Sequence, residues 1–233
     1  MTVTIARSRH AHVEVAVRGL DQLGETPLWC DRDQMLWWID IEKPKLQSYS
    51  PSTGRTESHS RDCTFLGSHA LTRSGRHLVA QDLSLKILDD LDGAGDPIVD
   101  VEREVDNRLN DGRVDSMGRL WIGTMDNQLH RPNGALYRID ADGASERIMD
   151  GVVVSNGIAF SPDGTRMYFT DTRRHTSFVF TLDAGDGTVT EKRVFADYAG
   201  TGDRPDGACV DVDGCIWMAF FAGSRIVRFT PDG

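Results

Sequence analysis

The sequence has little of what membranes, export, nucleic acids or disulfide frameworks require. No stretch approaches the roughly 18 consecutive apolar residues of a spanning helix. The N-terminal MTVTIARSRHAHVEVAVRGL has no apolar centre of signal-peptide type. A membrane span is therefore excluded, and a cytoplasmic location is expected. Basic residues are outnumbered, with 26 Lys and Arg against 36 Asp and Glu and a net charge of −10. Without a run of Lys or Arg there is no concentrated positive footprint for a phosphate backbone, which excludes nucleic acid as a partner. A neutral sugar-like ligand or a divalent cation meets no such penalty. Cysteine is sparse: Cys30, Cys63, Cys209 and Cys215 form no CxxC pair, and they read as reduced thiols of an intracellular protein. Cys209 and Cys215 flank the turn DVDG (211–214). A four-residue connection there opposes 210 with 215 and 209 with 216, leaving the two thiols diagonal. Histidines at 59, 69, 130 and 175 lack zinc spacing, and no GxSxG or Walker motif occurs. His69 reads as a satisfied or solvent-facing histidine.

What the chain does have is a repeat. Its 233 residues, 39% hydrophobic and 27% charged with 23 glycines, fit one folded domain spanning 1–233. Five segments superimpose: GETPLWCDRDQMLWWIDI (24–41), LGSHALTRSGRHLVAQDL (66–83), LNDGRVDSMGRLWIGTMD (109–126), SNGIAFSPDGTRMYFTDT (155–172) and PDGACVDVDGCIWMAFFA (205–222). Each reads as a short strand, a turn and a more apolar second strand. The turn residues Asp33, Gly75, Gly118, Gly164 and Gly214 are 42, 43, 46 and 50 residues apart. Further alternating segments follow, such as GALYRIDADG (134–143) and SFVFTLDAGDG (177–187). Three to four strands in each period of about 45 residues, with no amphipathic helix, predict an all-β propeller. The fifth unit stops after its third strand, so the expectation is either a five-bladed ring with an incomplete last blade or a chain that continues into another blade, and the abrupt end favours the second. The tryptophans at 29, 37, 38, 121 and 217 are expected mostly to pack between blades.

Eight residues before each turn residue stand Glu25, Gly67, Asn110, Asn156 and Asp206. This is one point in every blade, at the start of the innermost strand, facing the central channel. Each Asn or Asp singly is explained by Asx-turn chemistry. Recurrence in phase is explained poorly that way, because carboxylates converging on one axis would repel and lose hydration. A hard divalent cation resolves the conflict, with Glu25, Asn156 and Asp206 as an all-oxygen set suited to Ca²⁺, Mg²⁺ or Mn²⁺. Soft ligands for a closed structural zinc site are absent. Arg108, two residues before Asn110, shares its side of the strand and offers a donor fork to a substrate hydroxyl, ring oxygen or carboxylate. Asp111 reads as a turn residue or one that supports a ligand.

The ordered set LGETPLW, NRLNDGRVDSMGRLWIGTM, SNGIAFSPDG and RPDGACVDVDG resembles the SMP-30/gluconolactonase/regucalcin-like family from about residue 16 to the end. The resemblance implies an all-β, six-bladed β-propeller with about five blades in this chain and the last blade missing, one divalent metal (Ca, Mn, Mg, Zn or Fe(II)) and hydrolysis of sugar lactones. It puts Glu25, Asn156 and Asp206 on the metal ligands and Arg108 and Asn110 on substrate contacts. It also implies that residues such as HVEVAVRG (12–19) supply a closing strand. Where some members have an acidic substrate contact after GTM, this chain offers Asp126, Asn127 and Gln128. Gln128 there can bind substrate but not act as a base. Gly67 at the second axial position leaves room for ligand.

These readings converge on opening of a small neutral aldonolactone by water. The cation would polarise the carbonyl, Arg108 and Asn110 would orient the ring, and Asp206, or a water it directs, would handle the proton. A metal-bound carboxylate is a weak base, so the two routes for that proton stay open. The alternatives are a metal-dependent esterase or phosphotriesterase-like hydrolase, and a non-catalytic Ca-binding or interaction propeller. Neither the native metal nor the oligomeric state is legible.

Overall fold

The alternation of apolar and polar residues is realised as antiparallel sheets laid side by side. The computed structural model describes residues 14–233. Among these, β1 (Gly24–Cys30), β2 (Met35–Asp40), β3 (Lys45–Ser50) and β4 (Arg55–Ser60) form the first sheet. The second contains β5 (Leu66–Leu71), β6 (His77–Gln81), β7 (Ser84–Leu88) and β8 (Asp96–Asp100). The third contains β9 (Asn107–Val114), β10 (Leu120–Asp126), β11 (Gly134–Ile139) and β12 (Ser145–Val152). The fourth is built from β13 (Ser155–Phe160), β14 (Arg166–Asp171), β15 (Thr176–Leu182) and β16 (Val189–Asp197), and the fifth from β17 (Pro205–Val210), β18 (Ile216–Phe220) and β19 (Arg225–Phe229). In each sheet the strands follow chain order, and the first strands pack in succession, β1 on β5, β5 on β9, β9 on β13 and β13 on β17. The result is an all-β, propeller-like arrangement of five blades with the first strands innermost. No helix among the described residues is long and apolar enough to cross a membrane.

The hairpin turns repeat in detail. Gly75, Gly118, Gly164 and Gly214 take φ of 91°, 91°, 71° and 79°. Their N–H groups donate to the carbonyls of Thr72, Asp115, Ser161 and Asp211. Blade 1 departs: its positive φ falls on Gln34 (53°), not on Asp33. The Asp33 carboxylate instead accepts from Arg32 Nε and Cys30 Sγ. The last turn also differs from the expected register. Val210 faces Ile216 and Cys209 faces Trp217, because Asp211 spans a five-residue loop with its N–H on the Cys215 carbonyl and its Oδ1 accepting from Asp213 and Cys215 N–H. All four cysteines are free.

Apolar layers between neighbouring blades hold the arrangement. Trp37, Ile39 and Leu46 meet Leu66 and Val79, and Leu85 meets Leu109 and Ile122. Trp121 and Leu136 meet Ile158 and Phe169, and Tyr168 and Phe195 meet Ile216 and Phe229. Each such side chain contributes about 1.5–3 kcal/mol on burial. Trp37 and Trp121 thus pack between blades as expected, whereas Trp29 and Trp217 remain 43% and 42% exposed on the first and last sheets. Of the segment expected to close the ring, positions 12 and 13 lie outside the described residues, and 14–19 form no strand.

Candidate active site

Each innermost strand is bulged beside its axial residue. Two of its residues face one on the next strand at Thr26–Pro27, Asn110–Asp111, Gly157–Ile158 and Asp206–Gly207. A smaller irregularity sits at Gly67. A bulge kinks the strand and re-aims the side chain next to it. Repeated around the axis, it turns Glu25, Asn110, Asn156 and Asp206 into one cavity of about 470 Å³, also lined by Asp111, Arg113 and Trp217.

The cavity gathers acids. Burial, with the charges of Asp206 and Asp111, pushes the Glu25 carboxyl up to about 7, against the opposing pull of the Thr26 N–H and Arg108. Burial and Asp111 push Asp206 up to about 6, and the Gly207 N–H partly offsets this. Asp111 is raised by its own burial, opposed by Arg113 and by N–H groups of Ile158, Gly112 and Gly157. Its Oδ2 accepts from Ile158 N–H at 2.8 Å. Three carboxylates short of counter-charge are the condition in which a cation or bound protons are favoured.

The amides are oriented by their neighbours. Asn156 Nδ2 donates to Thr172 Oγ1 at 2.9 Å, and Thr172 Oγ1 donates to the Pro205 carbonyl at 2.7 Å. That fixes Asn156 Oδ1 on the opposite side, where it accepts from Asn110 Nδ2 at 3.1 Å. Asn110 Nδ2 also donates to the Ser155 carbonyl at 2.8 Å. Asn110 therefore holds Asn156 as well as lining the cavity. Thr172 and the buried Asp111 were not singled out for these parts in the sequence reading. The pairing of Asp111 with Asn110 in the third repeat was the available signal for one, but Thr172, 16 residues from Asn156, had none.

The structure brings Glu25, Asn110, Asn156 and Asp206 together but does not bring Arg108 or Gln128 into the cavity lining. The Arg108 guanidinium lies over the Phe65 ring, 4.6 Å from its centroid. Burial lowers its pKa while Glu42 and Glu25 oppose the shift, and its buried Nε has no partner. The exposed Gln128 donates to Asp106 Oδ2 at 3.3 Å. Gly67 lines the cavity, and its lack of a side chain has a further cause. A Cβ there would stand 2.1 Å from the Leu109 carbonyl oxygen, so the glycine is required by the close approach of the next blade.

Among the described residues, no group of three or more His, Cys, Asp or Glu side chains is placed to hold a metal. The set at the axis is two carboxylates and an amide, and its chemistry fits a hard cation whose remaining positions are filled by water or substrate.

The bulged inner strands of a propeller thus converge on one acidic axial cavity. The sequence profile of the SMP-30/Gluconolactonase/LRE-like region matches residues 23–233, and the chain belongs to this sugar-lactonase family. It is 36% identical to a 6-deoxy-6-sulfogluconolactonase of Pseudomonas putida, over 95% of this chain and 76% of that protein. It is 38% identical to an L-arabinolactonase of Azospirillum brasilense, over 91% of this chain and 71% of the relative. Among solved structures, a calcium-binding protein, regucalcin, of Agrobacterium tumefaciens superimposes with a TM-score of 0.89 at 31% identity, covering 94% of this chain and 74% of that one.

Proposed function

We propose that this protein hydrolyses a small neutral sugar lactone to the open-chain acid, with a divalent cation held by Glu25, Asn156 and Asp206. The observation that carries this reading is the convergence of Glu25, Asn156 and Asp206 on one cavity in which burial and neighbouring carboxylates raise both acids. When bound, the cation supplies Lewis-acid polarisation of the lactone carbonyl. The protein's own groups do the rest. Asp206, at the cavity wall, orients the attacking water and accepts its proton at a carboxylate oxygen as the new C–O bond forms. The ring C–O bond then breaks, and that proton is available to the departing ring oxygen. Asn110 holds ring hydroxyls, and Trp217 and Ala208 give the cavity an apolar side.

The test is lactone hydrolysis across pentono- and hexonolactones, corrected for spontaneous opening. Metal-stripped protein is compared with protein given back Ca²⁺, Mg²⁺, Mn²⁺, Zn²⁺ or Fe²⁺. Turnover restored by a cation and abolished in Glu25→Ala and Asp206→Ala supports the reading. A folded, cation-bound protein without lactone turnover moves the assignment to ester or phosphotriester hydrolysis, or to binding alone.

A further inference from the structure

Thr26, the residue after Glu25, has φ of +51°. A β-branched side chain at positive φ is a conformational outlier, and the following Pro27 restricts the same residue again. Such a backbone persists only where the surroundings over-determine it. In blade 4 the residue after the axial Asn156 is Gly157, at φ +62°, where glycine has no comparable penalty. Blade 1 reaches a similar φ with threonine, and something must hold it there.

The hold comes from the neighbouring blade. His69 on β5 is 3% exposed, and its Nε2 lies 3.0 Å from the Thr26 carbonyl oxygen. A carbonyl only accepts, so Nε2 carries the proton and the ring is the Nε2–H tautomer. Desolvation, with His77 nearby, pushes the His69 pKa down to about 3, which keeps the ring neutral. On the other side of the same residue stands Glu25, and both residues line the axial cavity. The His69 ring is therefore hydrogen-bonded to the backbone of the residue that directly follows Glu25 in the chain.

We propose that His69 is a positioning residue for Glu25: its Nε2–H fixes the strained Thr26 backbone and so aims the Glu25 carboxylate for cation binding. This rests on the cation reading above. It gives a role to a histidine that neither touches the cavity nor has an ion-pair partner, and it explains how blade 1 dispenses with the glycine that blade 4 uses.

Cation affinity separates this role from packing. Titrating metal-stripped protein with Mn²⁺ alone, followed by calorimetry, His69→Phe is expected to weaken binding by about 10- to 100-fold, the range found when groups supporting metal ligands are removed. His69→Gln, which keeps a donor, recovers most of the loss. Glycine at 26 takes positive φ without being held, so in a Thr26→Gly background His69→Phe is expected to cost less than about threefold, a non-additivity that marks coupled residues. An equal loss in both backgrounds, or wild-type affinity in folded His69→Phe, overturns the proposal. If His69→Phe does not fold, ¹⁵N-histidine NMR of the wild type decides: the Nε2–H tautomer supports the assignment and an Nδ1–H tautomer overturns it. Should wild type bind no Mn²⁺ and Glu25→Ala change nothing, the cation reading fails and takes this proposal with it. Normal wild-type binding lost in Glu25→Ala but kept in His69→Phe removes the positioning role alone.

Discussion

Two sets of acidic residues recur around this molecule, and they differ in how many donors offset the cost of burial. Glu25 and Asp206 stand at the start of inner strands with few donors, and burial and neighbouring charge raise both. Asp40, Asp82, Asp126 and Asp171 stand at or just past the ends of second strands. Three of them, Asp40, Asp126 and Asp171, are at most 1% exposed. Burial alone would raise Asp40, but the backbone N–H groups of Gln22, Leu23 and Lys43 outweigh it and hold the carboxyl below its usual range. Asp82 accepts from Thr64 and Phe65 N–H, and Asp171 from Val153 and Val154 N–H. Asp126 is held low first by the Arg131 guanidinium. Burial by itself therefore does not mark a functional acid here. A satisfied carboxylate staples a blade, and an unsatisfied one is available to a ligand.

The comparison is broken most strongly at Asp206. Asp206→Ala is expected to lower kcat/KM by about 1000-fold, in the range seen when a group acting on the transition state is removed. The same change should raise the melting temperature of metal-free protein by about 2–4 °C, since it relieves repulsion of about 1 kcal/mol. Steady-state kinetics and a thermal melt on one preparation check both signs. The reverse pattern is expected at Asp171. Replacing it with alanine strands the N–H groups of Val153, Val154 and Arg174. This should cost about 3 kcal/mol in denaturant unfolding while cation affinity stays within about twofold. A stable Asp171→Ala protein, or one that loses cation affinity at full stability, would erase the distinction between the two sets.

Much of this was legible in the sequence, for physical reasons that particular residues display. The glycines at 75, 118, 164 and 214 announce the fold because their turns require positive φ, and counting back from them finds the axial oxygens. Blade 1 escaped that logic by placing its left-handed residue at Gln34. The stapling acids had a signal too, since Asp40, Asp82, Asp126 and Asp171 are 42, 44 and 45 residues apart. Their role depends on which N–H groups the fold leaves over, and that is a property of register. The reason for Gly67 was hidden because it lies in the Leu109 carbonyl of another blade. Likewise, a bulge at Thr26–Pro27 is a mismatch between two strands and belongs to neither alone.

The axial acids and Asp40 also have opposite pH signatures in metal-free protein. Glu25 and Asp206 have folded pKa values of about 7 and about 6, above their usual 4.5 and 3.8. The folded state therefore binds more protons between these limits, and stability falls as pH rises from about 4 to 7, by about 5 kcal/mol. The depressed Asp40 contributes stability that is present above its unfolded pKa and lost as pH falls through the folded one. Metal-free stability should then peak between about pH 4 and 5, and saturating cation should flatten the upper limb but leave the lower one. Urea midpoints from pH 3 to 8, with and without Mn²⁺, test this. An upper limb that cation does not change would mean that the raised carboxylates are not the ligands.

The smallest effect is expected at Gln128, where the sequence reading and the geometry meet least closely. Its exposed side chain donates to Asp106, which also accepts from Asn127 and Arg131. Removing it leaves that carboxylate with two partners, so stability should change by less than about 0.5 kcal/mol, as for an ordinary surface substitution. Any contribution to substrate is made from an exposed position, in water, where a neutral hydrogen bond is worth about 1 kcal/mol. Gln128→Ala is therefore expected to raise KM by no more than about fivefold at unchanged kcat, since a contact made equally before and during reaction affects binding alone. A fall in kcat would mean that the side chain leaves Asp106 and reaches the reacting ring, making the loop after β10 part of the site.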